Sequence, residues 1–287
     1  MPSTSDIITN DDVRQMAELV RDKKYQFRRF FRRHDATNIN SNSFSFPRLD
    51  IDLDPEEIAE IPEGSEYPRA DFTYGDVKAA YSKYGVELPI PDEAVEDSYL
   101  DVVMDANRQM AEAEEERMDT IAFNILDSNL SADGPIDASG DSAGTLEYAD
   151  FVDARTTLFD NDADLGDIIG VVNSDGMGDL LKMQEFTQAS ELGDNVVTSG
   201  LLPGGNVGQG LVGVLGDMPI YATNVGGTLS AGQAIVGDTS QYGWESERES
   251  FNAGNYYEDD KDQTVYELSG RYDWVPTNTE VAIKIDS

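Results

Sequence analysis

The chain has 287 residues and is strongly acidic: 57 Asp and Glu against 20 Lys and Arg leave a formal charge of −37, and cysteine is absent. That length allows one or two domains with a substantial core, while the lack of cysteine excludes disulfides, thiolate nucleophiles and Cys-type zinc sites. No stretch is apolar and long enough to cross a membrane as a helix, and Met1 to Asn10 is too polar to read as a signal peptide.

The acidity exceeds what solubility requires of a chain this size. With 11 Phe, 13 Tyr and regular aliphatic periodicity, the bias does not mean disorder. An acidic surface with few lysines suits molar salt, where the Debye length falls to about 3 Å and like charges are screened. The expectation is a halophilic, archaeal setting.

The first element is a helix from about Asp11 to Arg33, with Val13, Met16, Leu19 and Val20 as its early apolar face. Arg21, Lys23, Lys24, Arg28, Arg29, Arg32 and Arg33 concentrate 7 of the 20 cations here, interrupted by Tyr25, Phe27, Phe30 and Phe31. Arginines interleaved with aromatics neutralise phosphates. They serve equally to clamp the acidic flank of a neighbouring subunit, and a merely solvated face is the third reading.

An extended excursion follows. Leu49, Ile51 and Leu53 alternate with Asp50, Asp52 and Asp54, the period of a strand with one wet face. Phe72 and Tyr74 open a return strand, which meets an irregularity at Gly75-Asp76, resumes at Val77, Ala79 and Tyr81, and continues through Val86, Leu88 and Ile90 after a break at Tyr84-Gly85. Ile61-Pro62 and Tyr67-Pro68 mark the tip, where fixed φ angles help the chain reverse. A two-stranded hairpin is marginal alone in water, so such an arm is expected to lie on a neighbouring surface.

A single long helix is predicted from Pro91-Asp92 to about Asn129, with proline suited to the first turn and Glu93, Glu96 and Asp97 favourably placed at the positive end of the dipole. At ~1.5 Å per residue it spans on the order of 55 Å. Its stripe is Val95, Tyr99, Val103, Ala106, Met110, Ala113, Arg117, Ile121 and Ile125; Asp101, Asp105, Glu112, Glu115, Glu116 and Asp119 form the wet face. The stripe is too short and alanine-rich for a coiled coil, so packing on a sheet is expected.

The remainder reads as mixed helix and strand. Helices are predicted over Thr145 to Phe159 and Gly178 to Phe186, and strands over Ile168 to Val172, Pro219 to Thr223, Ala234 to Val236, Val265 to Leu268 and Val281 to Ile285. Ser199 to Gly216 is glycine-rich; Asp160 to Gly166 and Asn252 to Asp262 read as polar loops.

Signals for catalysis are poor. His34 is the only histidine and has no cysteine or serine motif beside it. Asp160-Asn161-Asp162 imitates the start of a calcium loop, but the glycine falls one place late at Gly166 and position twelve is Val171. Gly204 to Gly210 has the wrong order for a dinucleotide turn and no P-loop lysine. The reading is no enzyme, no cofactor and no metal site.

The order of parts resembles a known family. Glu60-Ile61-Pro62-Glu63-Gly64-Ser65-Glu66-Tyr67-Pro68 and Lys83 to Glu93 look like the tip and return of its extended loop; Leu215 to Tyr221, Gly232 to Asp238 and Tyr266 to Asp273 look like later strands. The chain resembles the major capsid protein of tailed double-stranded DNA viruses, of haloarchaeal type, with the Johnson capsid fold shared with encapsulins. The resemblance implies an α+β fold with an N-terminal arm (1–43), an extended β-hairpin loop (44–90), a peripheral domain with a spine helix (91–160), an apical domain (161–254) and a return to the peripheral domain (255–287). It implies a virion protein, assembled in the host cytoplasm, whose hexamers and pentamers build an icosahedral shell. Its implied partners are itself, packaged double-stranded DNA, and portal, scaffold and decoration proteins, with no membrane. The candidate contact residues are the basic arm named above and, on the loop, Ile61, Pro62, Tyr67, Pro68, Phe72 and Tyr74. Some relatives crosslink a loop lysine to an asparagine; Lys78 or Lys83 with Asn278 and Glu280 supplies those residue types, although no spacing demands it. The alternatives are an encapsulin-type shell housing an enzyme, and an ordinary halophilic enzyme.

Overall fold

The computed structural model describes residues 25–39, 41–51, 72–97, 102–130, 145–183, 211–215, 218–225 and 227–286. A 3-10 turn at Phe27–Phe30 leads into β1 (Phe31–Asp35), followed by β2 (Ser43–Ile51), β3 (Phe72–Ala80), β4 (Ser82–Pro91), α1 (Asp92–Asp97) and α2 (Val102–Asn129). Then come α3 (Tyr148–Asp160), β5 (Ile168–Val172), α4 (Ser174–Lys182), β6 (Leu211–Leu215), β7 (Met218–Ala222), β8 (Gln233–Asp238), β9 (Gly243–Glu258), β10 (Gln263–Pro276) and β11 (Ala282–Asp286).

Three sheets organise the described residues. One has the order β1-β9-β10-β4, a second β11-β8-β5-β7-β6, and a third is the ribbon β2-β3. In the first, β1 runs parallel to β9, whereas β10 is antiparallel to both β9 and β4. Helix α2 packs on β10 and on the 3-10 turn, which is the sheet packing expected of the long helix. Helix α3 covers β8 and β11. One apolar cluster runs from Phe27 and Phe30 through Phe123 and Leu126 of α2 to Ile168, Val171, Ile220 and Ile235 of the five-stranded sheet, so the two larger sheets share a core.

Several sequence expectations need correction. The helix expected through Arg33 has become the 3-10 turn and a strand by Phe31, because β1 finds a hydrogen-bonding edge along β9; the part before Tyr25 lies outside the described residues. The return strand is not one strand. Its register with β2 is unbroken at Gly75 and Asp76, which pair with Arg48 and Pro47. It divides at Tyr81, after which β4 joins β10, with Gly85 seated opposite Ser269 rather than breaking the strand. A Cβ at Gly85 would lie 2.8 Å from the Leu268 carbonyl oxygen, so close backbone approach explains that glycine. The helix expected from Pro91-Asp92 to Asn129 is seen as α1 and α2, and residues 98–101 between them lie outside the described residues.

The second predicted helix starts four residues earlier than expected, at Ser174, because Asn173 caps it: its side chain accepts from the Gly176 N–H at 2.8 Å. Asn252 to Glu258, expected as loop, continues β9, and only residues 259–262 turn. The strand at β5 has the predicted bounds, and all five of its residues are buried. Helix α3 begins at Tyr148 under a capping box, in which Asp150 accepts from the Glu147 N–H at 2.7 Å.

Gly243, the first residue of β9, leaves no room for a side chain. A Cβ there would lie 2.6 Å from the Val275 carbonyl oxygen and 3.0 Å from the Phe31 ring. Gly243→Ala is expected to cost about 1–3 kcal/mol through overpacking and to release β1 first. Hydrogen exchange at residues 31–35 would report that release; unchanged protection there would contradict it.

Candidate assembly interface

The described part of the basic segment is docked onto its own subunit. Arg28 is buried and reaches two carboxylates from different elements: Glu115 on α2 and Glu245 on β9. Its Nε also donates to Glu245 Oε2 at 3.1 Å, which makes the Glu245 contact a two-pronged guanidinium–carboxylate pair. Burial alone would lower the pKa of Arg28, but Glu245 and Glu115 outweigh that and raise it, so the guanidinium stays charged. Just beneath, Asp119 accepts from the backbone N–H groups of Arg28 at 3.1 Å and Gln26 at 3.3 Å. These bonds turn the spine helix into a cradle for the N-terminal segment.

That cradle overturns the assignment of Glu115 and Asp119 to a wet face. Glu114, Glu115 and Asp119 are all buried, while Ala113 and Arg117 of the predicted stripe are exposed. Three of the helix's carboxylates therefore face protein. Burial raises the pKa of Glu114, only partly offset by the hydrogen bond that the Tyr272 hydroxyl donates to it. Burial also pushes Asp119 up to about 7, opposed by the backbone bonds from Arg28 and Gln26 and by the Arg28 charge.

The sign of the resulting pH dependence is definite. Asp119 binds its proton more tightly when folded than the ordinary carboxylate value of about 4, so its contribution is fully present below that value and is lost as pH rises through about 7. Asp119→Asn is expected to flatten the fall in melting temperature between pH 4 and 7. Melts of wild type and variant at fixed salt test this; parallel curves would contradict it.

The other described cations take different roles. The Arg29 guanidinium lies 4.3 Å from the Tyr221 ring centre, and that of Arg32 lies 4.2 Å from the Trp244 ring centre. Arg33 is exposed, with Nε 4.0 Å from Glu245. Arg28 is thus committed inside the subunit and is unavailable to a neighbour or to nucleic acid, whereas Arg32 and Arg33 project outward. Arg21, Lys23 and Lys24 lie outside the described residues.

Beside this cradle sits the base of the ribbon. His34 stacks on Phe44 with ring centres 4.6 Å apart, Phe46 stacks on Trp244 at 5.5 Å, and His34 meets Phe46 edge-on. The His34 Nδ1 lies 3.1 Å from the Ser246 hydroxyl, which in turn lies 2.8 Å from the Tyr81 hydroxyl. Ala36, Phe46, Ala79, Tyr81 and Val275 close a small apolar cluster around the base. His34, which had no chemical role in the sequence reading, is a structural pivot between arm and ribbon. Neighbouring residues of β9 serve opposite faces of their sheet: Glu245 holds Arg28 and α2, while Trp244 and Ser246 hold the ribbon base.

The ribbon's backbone runs on to Ile51 and Phe72, whose register pairs them directly. Ile61, Pro62, Tyr67 and Pro68 lie outside the described residues, and Phe72 and Tyr74 enter only through backbone pairing, with Ile51 and Leu49. Of the crosslink candidates, Lys78 lies 3.5 Å from Asp76 on the same strand, and Asn278 accepts from the Glu280 N–H at 3.2 Å. No group of His, Asp or Glu among the described residues is arranged to hold a metal ion, and no described helix is long and apolar enough to cross a membrane.

Comparison with known proteins identifies this architecture. The chain is similar to a protein of Mycobacterium phage Che8, with TM-score 0.70 and 14% identity over 92% of this chain and 91% of that one. It is similar to the capsid structure of the cyanophage P-SCSP1u, with TM-score 0.67 and 12% identity over 100% of this chain and 92% of that one. It is also similar to the asymmetric unit of the mature capsid of bacteriophage PhiM1, with TM-score 0.63 and 14% identity over 100% and 90%. No curated protein matches the sequence. The α+β fold is therefore that of phage capsid proteins, as the resemblance implied. Residues 76–285, well over half of the chain, match the family model described as phage capsid protein, and the chain belongs to that family.

Proposed function

We propose that this protein is the major capsid protein of a tailed, haloarchaeal double-stranded DNA virus, and that its hexamers and pentamers form an icosahedral shell around the genome in molar salt. The observation that carries the reading is the two-stranded ribbon β2-β3, which is fastened to its own subunit at the base around Phe46 and Tyr81, in a chain of the phage capsid family. A two-stranded ribbon gains stability by lying on another surface, and many copies sharing near-equivalent contacts supply that surface.

The ribbon tip, with Ile61, Pro62, Tyr67, Pro68, Phe72 and Tyr74, is the proposed contact with a neighbouring copy. Arg32 and Arg33, with Arg21, Lys23, Lys24 and Arg29, are the proposed cations toward a neighbouring copy or packaged DNA. Residues 1–43 act as the arm, 44–90 as the loop, 91–160 and 255–287 as the peripheral part and 161–254 as the apical part. Portal, scaffold and decoration proteins are further partners in a virion assembled in the host cytoplasm. The charge of −37 supports the high-salt setting. The family match does not favour the enzyme-housing shell.

Negative-stain microscopy of the protein in molar salt tests the proposal. Closed shells with nuclease-protected DNA are expected from infected cells. A small oligomer as the sole species would end the capsid reading, and shells loaded with a cargo enzyme would replace the virus by an encapsulin.

A further inference from the structure

Helix α3 has an apolar stripe too many. Phe151, Ala154 and Leu158 are buried on the side that covers β8 and β11, while Tyr148, Val152 and Phe159 stand outward, Phe159 with 61% of its surface exposed. A surface helix needs one apolar side, not two. The outer stripe forms one wall of a groove of about 350 Å³, closed by Leu165, Leu215 and Met218. Leu215 ends β6, the outermost strand of its sheet, whose outer edge has no strand partner among the described residues. An apolar strand edge of this kind is a template for another chain unless something covers it. Arg155 is the only charged residue among the described residues that line the groove.

We propose that this groove receives a second copy of the chain, a contact that rests on the capsid reading above. Charge selects the occupant. Each copy carries −37, and in molar salt repulsion survives only over a Debye length of about 3 Å, that is, where side chains touch, so contact is favoured where carboxylates are few in the lining and a cation is present. Among the described residues the groove meets both conditions: its walls are mostly apolar, and Arg155 offers its charge to the acidic side chains that any copy presents. A basic partner would lose that complementarity. Rings close through head-to-tail contacts in which unlike patches meet, so the groove of each copy takes a different surface of the next.

The lack of cysteine makes the test specific. Val152→Cys is reacted with a maleimide in assembled particles and in unassembled subunits from the same gradient, each normalised to the denatured chain. Free subunits are expected to label fully, and particles to be protected. Equal labelling in both would overturn the docking while leaving the capsid reading in place. Protection already in free subunits would assign the groove to the chain's own residues and would also overturn it. Phe159→Asp is expected to abolish particles while the melting temperature of the free subunit stays unchanged; intact particles would count against the contact. Wild-type protein that never forms particles would instead remove the capsid reading, and this contact with it.

Discussion

Arg28→Met is expected to destabilise the subunit by about 3–5 kcal/mol, because truncating one partner of a buried ion set leaves uncompensated charge behind. Glu115 and Glu245 would both lose a buried cation partner, and α2 and β9 would then carry facing carboxylates. For a chain of this size the loss corresponds to a melting temperature lower by on the order of 10 °C. Arg28→Lys keeps the charge but not the forked geometry and is expected to fall between. Combining Arg28→Met with Glu115→Leu and Glu245→Leu should recover much of the loss, since an apolar replacement of the whole set removes the desolvation cost as well. Denaturant unfolding of unassembled subunits measures all three. A change under about 1 kcal/mol for Arg28→Met, the range of an exposed ion pair, would contradict the account.

The second large effect is on the shell. Particles stable in molar salt are expected to fall apart on dialysis to about 0.1 M salt, where the Debye length grows from about 3 to about 10 Å and carboxylates on adjoining copies begin to repel. With −37 on every subunit the repulsion is summed over all contacts at once, so dissociation should be steep. Light scattering during dialysis follows it directly. The subunit itself should respond less, because Arg28, Glu115 and Glu245 are buried and poorly screened by ions. Scattering that stays constant down to low salt would remove the argument for halophilic adaptation.

How much of this was legible in the sequence depended on whether each signal was local. The run Ile168 to Val172 announced β5 because every side chain is apolar and buried. The alternation on either side of the ribbon announced a hairpin, and its pairing from Ser43 with Ala80 to Ile51 with Phe72 agrees. Strand β9 was hidden because its buried positions, on both faces, include Glu245 and Ser246, whose partners Arg28 and His34 belong to the opposite end of the sequence. The same long-range pairing concealed the true buried face of α2: read alone, Glu115 and Asp119 belong in water, and only Arg28 and the turn around it explain their burial. The arginine cluster was visible as a cluster, but nothing local separates Arg28, held inside, from Arg33, left outside. The start of helix α4 was misplaced because Gly176 argues against helix, whereas the Asn173 cap decides for it, and a Cβ at Gly176 would lie 2.8 Å from the Leu146 side chain.

Strand β1 finds its only described partner in β9, and His34 and Ser246 stand 212 positions apart. A ribosome therefore delivers the arm and the ribbon long before it delivers Trp244, the ring on which the ribbon base stacks. Contacts this distant in sequence make for slow folding. Until Trp244 and Ser246 emerge, the ribbon base lacks the ring and the hydroxyl that set its angle to the rest of the subunit.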